Sequence, residues 1–166
     1  MVGDAQDACN SFGAAMKKKC KRKVWALLNP LEHVIQGLQV TPDYKLDQLH
    51  LRELSALEAM IKGQGNVQCW SDLSSVLNIC EGMAMNGVGA EALPDCSALQ
   101  DELKAAARRF DATGKMGLTA QGIQAARSVI EYHDLQRRSI TLAEYEKHID
   151  RVTKRIRGKA KEVEEV

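Results

Sequence analysis

The sequence predicts an all-α protein: a five- or six-helix antiparallel bundle with a basic, flexible N-terminal arm. Apolar residues recur at the three- and four-residue spacing of one helical face along nearly the whole chain. Each of the three prolines stands where such a pattern begins, a position at which proline favours a helix. No run alternates apolar and polar residues for long enough to predict a strand. Because the connections between patterns are short, consecutive helices are expected to be antiparallel neighbours.

The beginnings and ends of the helices carry their own signals. Thr141 and Glu144 have the composition and spacing of a capping box, in which two side chains bond to free amides of the first turn. Gly63 and Gly114 are expected to end the second and fourth helices, since glycine adopts a left-handed exit without strain. The predicted starts, each a capping or initiating residue, are Asn29-Pro30, Thr41-Pro42, Asn66, Pro94, Thr119 and Thr141.

The apolar faces predict which side chains form the core. For the second to fifth helices they are Leu46, Leu49, Leu54, Leu57 and Met60 or Ile61; Trp70, Leu73, Leu77, Cys80 and Ala84; Cys96, Leu99, Leu103, Ala106 and Phe110; and Ile123, Ala126, Ile130 and His133. His133 is therefore expected to be a core histidine with one hydrogen-bond partner. The sixth helix has the cleanest stripe, from Leu142 to Ile156, and is expected to pack on the fifth as a helical hairpin.

Length and composition favour one domain. A chain of 166 residues can bury a core that needs neither metal nor disulfide. With 45% hydrophobic residues it is neither collagen-like nor bulk disordered. We expect residues 1–23 to form the arm and residues 24–166 to form a single helical domain.

The net charge of +1 is the sum of unlike parts. Residues 17–23 hold six cations, and without them 17 cations face 22 anions. The cations of this first basic segment are Lys17, Lys18, Lys19, Lys21, Arg22 and Lys23; those of a second segment near the end of the chain include Lys147, Arg151, Lys154, Arg155 and Arg157. Both segments are candidate contacts for phosphate or for an acidic partner. The alternative is that one is a solvated arm and the other a solvated helix end.

Several classes of protein are not expected. The apolar stretch 24–28 after the lysines is too short for a signal peptide, and no apolar run approaches the roughly 20 residues that span a membrane. We therefore expect a soluble cytoplasmic protein with no membrane partner. The five cysteines include no Cys-x-x-Cys pair, and the four histidines are scattered, so no metal site and no cofactor are expected.

The loop around Gly114-Lys115 resembles a phosphate-binding loop only superficially. That motif needs glycine five positions earlier, where Arg109 stands, and a hydroxyl residue after the lysine, where Met116 stands. A weaker hypothesis is that Lys115, beside the start of the fifth helix, holds an anion. The alternative is a plain interhelical turn.

No catalytic constellation is recognised, and we expect the protein not to be an enzyme. Glu144 and His148 stand four residues apart on one helical face, which predicts a solvent-exposed pair. A zinc protease would need a second histidine in that arrangement. The serines near Trp70 lack the glycine-flanked elbow that presents a nucleophile.

Nucleic-acid binding is a second interpretation of the two basic segments. Each could neutralise several phosphates and so bind in a salt-sensitive way without sequence preference. The last two helices are too long for a helix-turn-helix, however. Trp25 and Tyr145 are the aromatic residues that adjoin the basic segments, which is few for base stacking.

Several stretches loosely resemble uncharacterised small helical accessory proteins of temperate phages and mobile elements. They lie within residues 22–150 and are Lys23-Val24-Trp25 with Asn29-Pro30, Leu51 to Leu57, Trp70 to Leu73 with Leu77-Asn78-Ile79, Thr113 to Gly117, and Glu131 to Gln136. None is a catalytic signature. The resemblance implies a non-enzymatic protein that binds and inhibits or adapts a host protein or protein–nucleic-acid complex, for example as anti-CRISPR proteins do. The alternative is a DNA- or RNA-binding regulator that uses the two basic segments.

Overall fold

The computed structural model describes residues 30–164, which form six α-helices. They are α1 (Pro30–Gly37), α2 (Asp43–Ile61), α3 (Val67–Ala84), α4 (Leu93–Thr113), α5 (Ala120–Ser139) and α6 (Leu142–Glu164), with one 3-10 turn (Ala90–Ala92) before α4. No strand occurs in this part of the chain, where an isolated antiparallel bridge joins Gly65 to Met116. The predicted all-α class is confirmed. The predicted arm, residues 1–23, lies outside the described residues.

The predicted caps are confirmed at three helices. The Asn66 side chain accepts a hydrogen bond from the Cys69 amide at the start of α3, at 2.9 Å. The Thr119 hydroxyl accepts one from the Gly122 amide at the start of α5, at 3.2 Å. At α6 the predicted capping box between Thr141 and Glu144 forms. Each of these bonds satisfies an amide that has no partner within its own helix.

The start of α2 differs from the prediction. Pro42 itself holds the N-cap position in an extended conformation, and no side chain caps the helix there. Its carbonyl accepts from the amide of Lys45 at 3.0 Å. The predicted cap by Thr41 is therefore wrong. The predicted helix ends at Gly63 and Gly114 are confirmed, since these glycines have φ of 68° and 69°, in the left-handed region.

The core is built around α3, which packs against α2, α4, α5 and α6. It is therefore buried on several sides rather than on one stripe. The predicted core residues of α3 and α4 from Leu73 to Ala106 are buried, as are Ala126 and Ile130 of α5. Phe110 and Trp70 lie at its edge. The Trp70 indole donates to the carbonyl of Leu103 at 2.9 Å.

The buried face of α2 agrees with the prediction at Leu46, Leu57 and Met60 and differs at two other leucines. Leu49 and Leu54 are 40% and 38% exposed, whereas Glu53 and Ala56 are buried. The hydrophobic pattern could not distinguish these faces, because leucines occur on both. The face that meets α3 and α5 includes Glu53, whose charge is neutralised by Arg137 of α5.

The packing of α6 also differs from the prediction. This helix packs mainly on α3 and on α1 rather than as a hairpin on α5. The reason is a close approach at Gly82 of α3, where an added Cβ would lie 2.6 Å from the Val152 methyl carbon Cγ2. Glycine at this position lets the two helices meet.

Among the described helices, α1 has the apolar side chains that are most exposed to solvent. It is tied to α6 by a hydrogen bond from the Leu142 amide to the carbonyl of Gln39, at 3.0 Å. Val34 and Ile35 nevertheless remain 57% exposed, and Leu38 remains 70% exposed. Aliphatic side chains thus face outward beside the first turn of α6.

Candidate functional site

The candidate site lies on α6, whose start is fixed by the capping box. The Glu144 carboxylate accepts from the Thr141 amide at 3.0 Å and from the Thr141 hydroxyl at 2.9 Å. From this start, His148 and Val152 are buried against α3. The helical period then places most of the basic residues of α6 on its outer side.

Three of the five predicted basic residues of α6 are exposed and have no polar partner among the described residues. Lys147, Lys154 and Arg157 make no hydrogen bond or ion pair with any residue that the structure describes. Lys147, Arg151 and Lys154 stand at positions i, i+4 and i+7, so they share one face. The first basic segment, Lys17 to Lys23, lies outside the described residues, and its role stays a prediction.

The other two predicted residues are tied to α3. Arg151 donates from Nη1 to Oδ1 of Asn86 at 3.2 Å. Arg155 donates from Nη2 to Oε2 of Glu81 at 3.0 Å and from Nη1 to the sulfur of Met85 at 3.5 Å. These bonds hold both guanidinium groups at the junction of α3 and α6.

A small notch of about 110 Å³ opens at this junction. Its walls are formed by the last residues of α3 and the inner side of α6, namely Gly82, Met85, Asn86, His148, Arg151, Val152 and Arg155. Burial lowers the pKa of His148, and the positive charge of Arg151 lowers it further. Since His148 is buried here, the prediction that it forms a solvent-exposed pair with Glu144 is wrong.

A buried polar cluster inside the bundle escaped the sequence prediction. Both carboxylate oxygens of Glu53 accept from Arg137, at 2.8 and 3.1 Å, and both side chains are buried. Nδ1 of His133 lies 3.2 Å from Glu53, outside the alignment of a hydrogen bond. A sequence signal did exist, because Glu53 stands four residues after Leu49 and four before Leu57, on a helical face.

The same cluster reaches α6 through Tyr145. Its hydroxyl lies 3.2 Å from Nε2 of His133, which confirms the predicted core histidine with one hydrogen-bond partner. Burial lowers the pKa of His133 despite the nearby Glu53 carboxylate, and burial raises the pKa of Tyr145. At neutral pH the phenol is therefore protonated, and the cluster joins α2, α5 and α6 rather than presenting an activated nucleophile.

Lys115 is exposed in the loop between α4 and α5. The start of α5 already meets an anion of the protein itself. The Glu102 carboxylate accepts from the Thr119 amide at 2.9 Å and from the Arg109 guanidinium at 2.7 Å. Burial opposes ionisation of Glu102, but these hydrogen bonds outweigh it and lower its pKa. An external anion at Lys115 stays a prediction.

Comparison of the chain with protein-family models, with curated proteins and with solved structures finds no match. Within residues 30–164, no helix has both the length and the apolar character needed to cross a lipid bilayer. In the same part of the chain, no three side chains of His, Cys, Asp or Glu are grouped so that they could hold a metal ion.

Proposed function

We propose that the protein is a non-enzymatic binding protein that engages a partner protein through α1 and the exposed basic residues of α6. The resemblance to phage accessory proteins extends this proposal. On that basis the partner is a host protein or protein–nucleic-acid complex of the bacterial cytoplasm, which the protein inhibits or adapts.

The observation that carries the proposal is the exposed aliphatic surface of α1. A groove of about 300 Å³ between α1 and the start of α6 includes Val34, Leu38 and Leu142 in its walls. Covering aliphatic surface is favourable by about 25 cal/mol per Å². Contiguous apolar patches on a protein surface are typical of protein–protein contacts. The phosphate backbone of a nucleic acid offers no apolar surface that could cover these side chains, so a protein partner is favoured over nucleic acid.

Charge defines the partner further. Lys147 lies just beyond the groove along α6, and Lys154 follows about 10 Å further on at the rise of an α-helix. Opposite charges across an interface speed association and select the partner. The groove wall itself includes Glu146, so the surface fits a protein segment whose apolar side chains fill the groove and whose acidic ones lie beyond it, against Lys147 and Lys154.

The test is affinity capture from a nuclease-treated bacterial lysate with three variants beside the wild type. V34D/L38D changes the apolar groove, K147E/K154E changes the basic face, and K45E/R127E makes the same charge change at exposed sites of α2 and α5. We expect one protein that the wild type and K45E/R127E retain and that both other variants lose. If nuclease abolishes capture, or neither V34D/L38D nor K147E/K154E reduces it, the proposal is wrong.

Nucleic-acid binding is the second candidate, and the shared face of Lys147, Arg151 and Lys154 favours it. Phosphate contacts give an affinity that falls with salt, with a slope of about 0.9 per phosphate on duplex DNA. A gel-shift series across salt concentrations tests this. The second candidate predicts binding that K147E/K154E weakens and V34D/L38D leaves unchanged, and absence of binding at low salt contradicts it.

A further inference from the structure

The notch between α3 and α6 contains donors that no described residue uses. His148 lines the notch and is nine-tenths buried, and neither of its ring nitrogens makes a hydrogen bond within residues 30–164. Arg151 uses Nη1 for Asn86, and its other N–H groups make no hydrogen bond with the described residues. A buried polar atom without a partner costs roughly 1–3 kcal/mol, so a ligand that supplies an acceptor is favoured here.

The charges around the notch favour an anion. From α6, Arg151, Lys147 and Glu144 act on His148, and across the notch Arg155 is paired with Glu81 of α3. The Glu144 carboxylate is already held by Thr141 in the capping box. The Arg155–Glu81 pair is neutral as a unit, and Glu144 offsets one of the two positive charges of Arg151 and Lys147, so the groups around the histidine are positive overall.

The size of the notch restricts the anion. Its volume of about 110 Å³ corresponds to a few water molecules at about 30 Å³ each. Drug-sized ligands occupy pockets of about 300 Å³ or more. A single tetrahedral oxyanion group fits this space, and its oxygens match the planar fork of a guanidinium.

We propose that the α3–α6 notch binds one terminal phosphate group, held by Arg151 with His148 as the buried donor, while Arg155 stays paired with Glu81. Asn86 positions Arg151, since its Nδ2 donates to the carbonyl of Gly82 while its Oδ1 accepts from the guanidinium. The ligand is a free phosphate ion or the terminal phosphate of a nucleotide, which share this chemistry. The protein-binding surface proposed above uses other side chains, so either proposal can fail without the other.

The test follows the His148 ring resonance by NMR, assigned through H148Q, during titration of the full chain with inorganic phosphate at constant ionic strength. We expect a saturable shift and a higher pKa for His148 in the phosphate-bound protein, because a bound anion favours the protonated ring. R151Q should weaken binding at least about tenfold, the effect of losing a charge-assisted hydrogen bond.

K45Q is the matched control, since it removes one positive charge from an exposed position of α2, away from the notch. It should change affinity less than about threefold, because salt screens exposed charges. N86D is the second notch variant and places a carboxylate beside Arg151 without changing the side-chain volume. It should weaken phosphate binding as R151Q does. Urea midpoints close to the wild-type value establish that each variant is folded.

Two further titrations distinguish the source of the phosphate. A nucleoside 5′-monophosphate that binds more tightly than inorganic phosphate identifies a nucleotide terminus as the ligand. Equal affinities identify the free ion, and the nucleoside without phosphate should not shift His148 in either case. The proposal is overturned if the shift does not saturate, if K45Q weakens binding as much as R151Q, or if the nucleoside alone binds.

Discussion

Glu53 is a carboxylate among the apolar side chains of α2. The cost of burying its charge is offset by Arg137, which lies 84 positions further along the chain. Arg137 satisfies both of its oxygens and is itself 2% exposed. Oδ1 of Asp134 lies 3.3 Å from Nη2 of Arg137, so the guanidinium also interacts with this second carboxylate. Breaking a buried pair is costly because the remaining ion has lost its water and gained no substitute.

Replacing Glu53 by glutamine tests this pair, because it removes the charge and keeps the shape. We expect E53Q to lower the free energy of unfolding by about 3 kcal/mol. R52Q is the control, since Arg52 pairs with Asp72 but its side chain is 64% exposed. That pair is worth at most about 1 kcal/mol. Urea denaturation measures both, and equal losses would contradict the argument.

His133 makes the stability depend on pH. Burial lowers its folded-state pKa, whereas in the unfolded chain it titrates near the ordinary value of about 6.5. Below that pH the unfolded state binds the proton more readily, so the free energy of unfolding falls as the pH falls. We expect urea midpoints measured from about pH 7.5 to 5.5 to decline less in H133Q than in wild type.

His148 adds to the same slope, because burial also lowers its pKa. The variant H133Q/H148Q should therefore show a smaller decline than H133Q alone. Carboxylates whose pKa is lowered, such as Asp134, lose their contribution at lower pH and do not account for this window. A decline that is the same in all three proteins would show that these histidines do not titrate differently on folding.

At the scale of elements, the contact between α3 and α6 depends on the absence of one Cβ. Gly82 lies against Val152, and an alanine there would press on the valine methyl. Gly158, in the distal part of α6, has nothing within 4 Å of an added Cβ. Both are helical glycines, so they differ in packing rather than in backbone type.

We expect opposite results from alanine at these two glycines. G158A should raise stability by up to about 1 kcal/mol through helix propensity. G82A should lower it by about 1–3 kcal/mol through overpacking. V152A removes the opposing methyl groups, so G82A/V152A should be more stable than the sum of the single changes predicts, by at least about 0.5 kcal/mol. Additive effects in the urea series would contradict the close approach.

At the scale of the whole molecule, the described core lies in α2 to α5, with α6 packed on its surface. The side chains that form this core within residues 30–164 belong to α2–α5 and their connections. We therefore expect this core to form without residues 1–23, the predicted basic arm.

Deletion of residues 1–23 tests this division. The urea midpoint and the helical circular dichroism per residue of the remaining chain should be unchanged, because the core residues that the structure describes are all retained. If phosphate or a partner protein contacts the basic segment, affinity should fall while stability does not. A lower midpoint would show that the arm contributes to the fold.

The sequence indicated the candidate site in part. Arg151 and Arg155 were recognised as basic residues near the end of the chain, but not as groups held by α3. His148 was assigned to an exposed pair, although it is buried. The reason is that charge can be counted along one helix, whereas burial depends on the helix that covers it.

The sequence by itself determined the six helices of the described chain, the caps at Asn66, Thr119 and Thr141, and the helix ends at Gly63 and Gly114. These features depend on hydrogen bonds and backbone angles within about four residues. The tertiary structure alone decided that Glu53 is buried on α2 where it meets Arg137, and that α6 packs on α3. Those outcomes depend on how each helix is rotated against neighbours distant in the chain. The order of charges along the chain indicated the two basic segments and the acidic excess of the rest. The notch that Arg151, Arg155 and His148 line exists because α3 and α6 meet at Gly82.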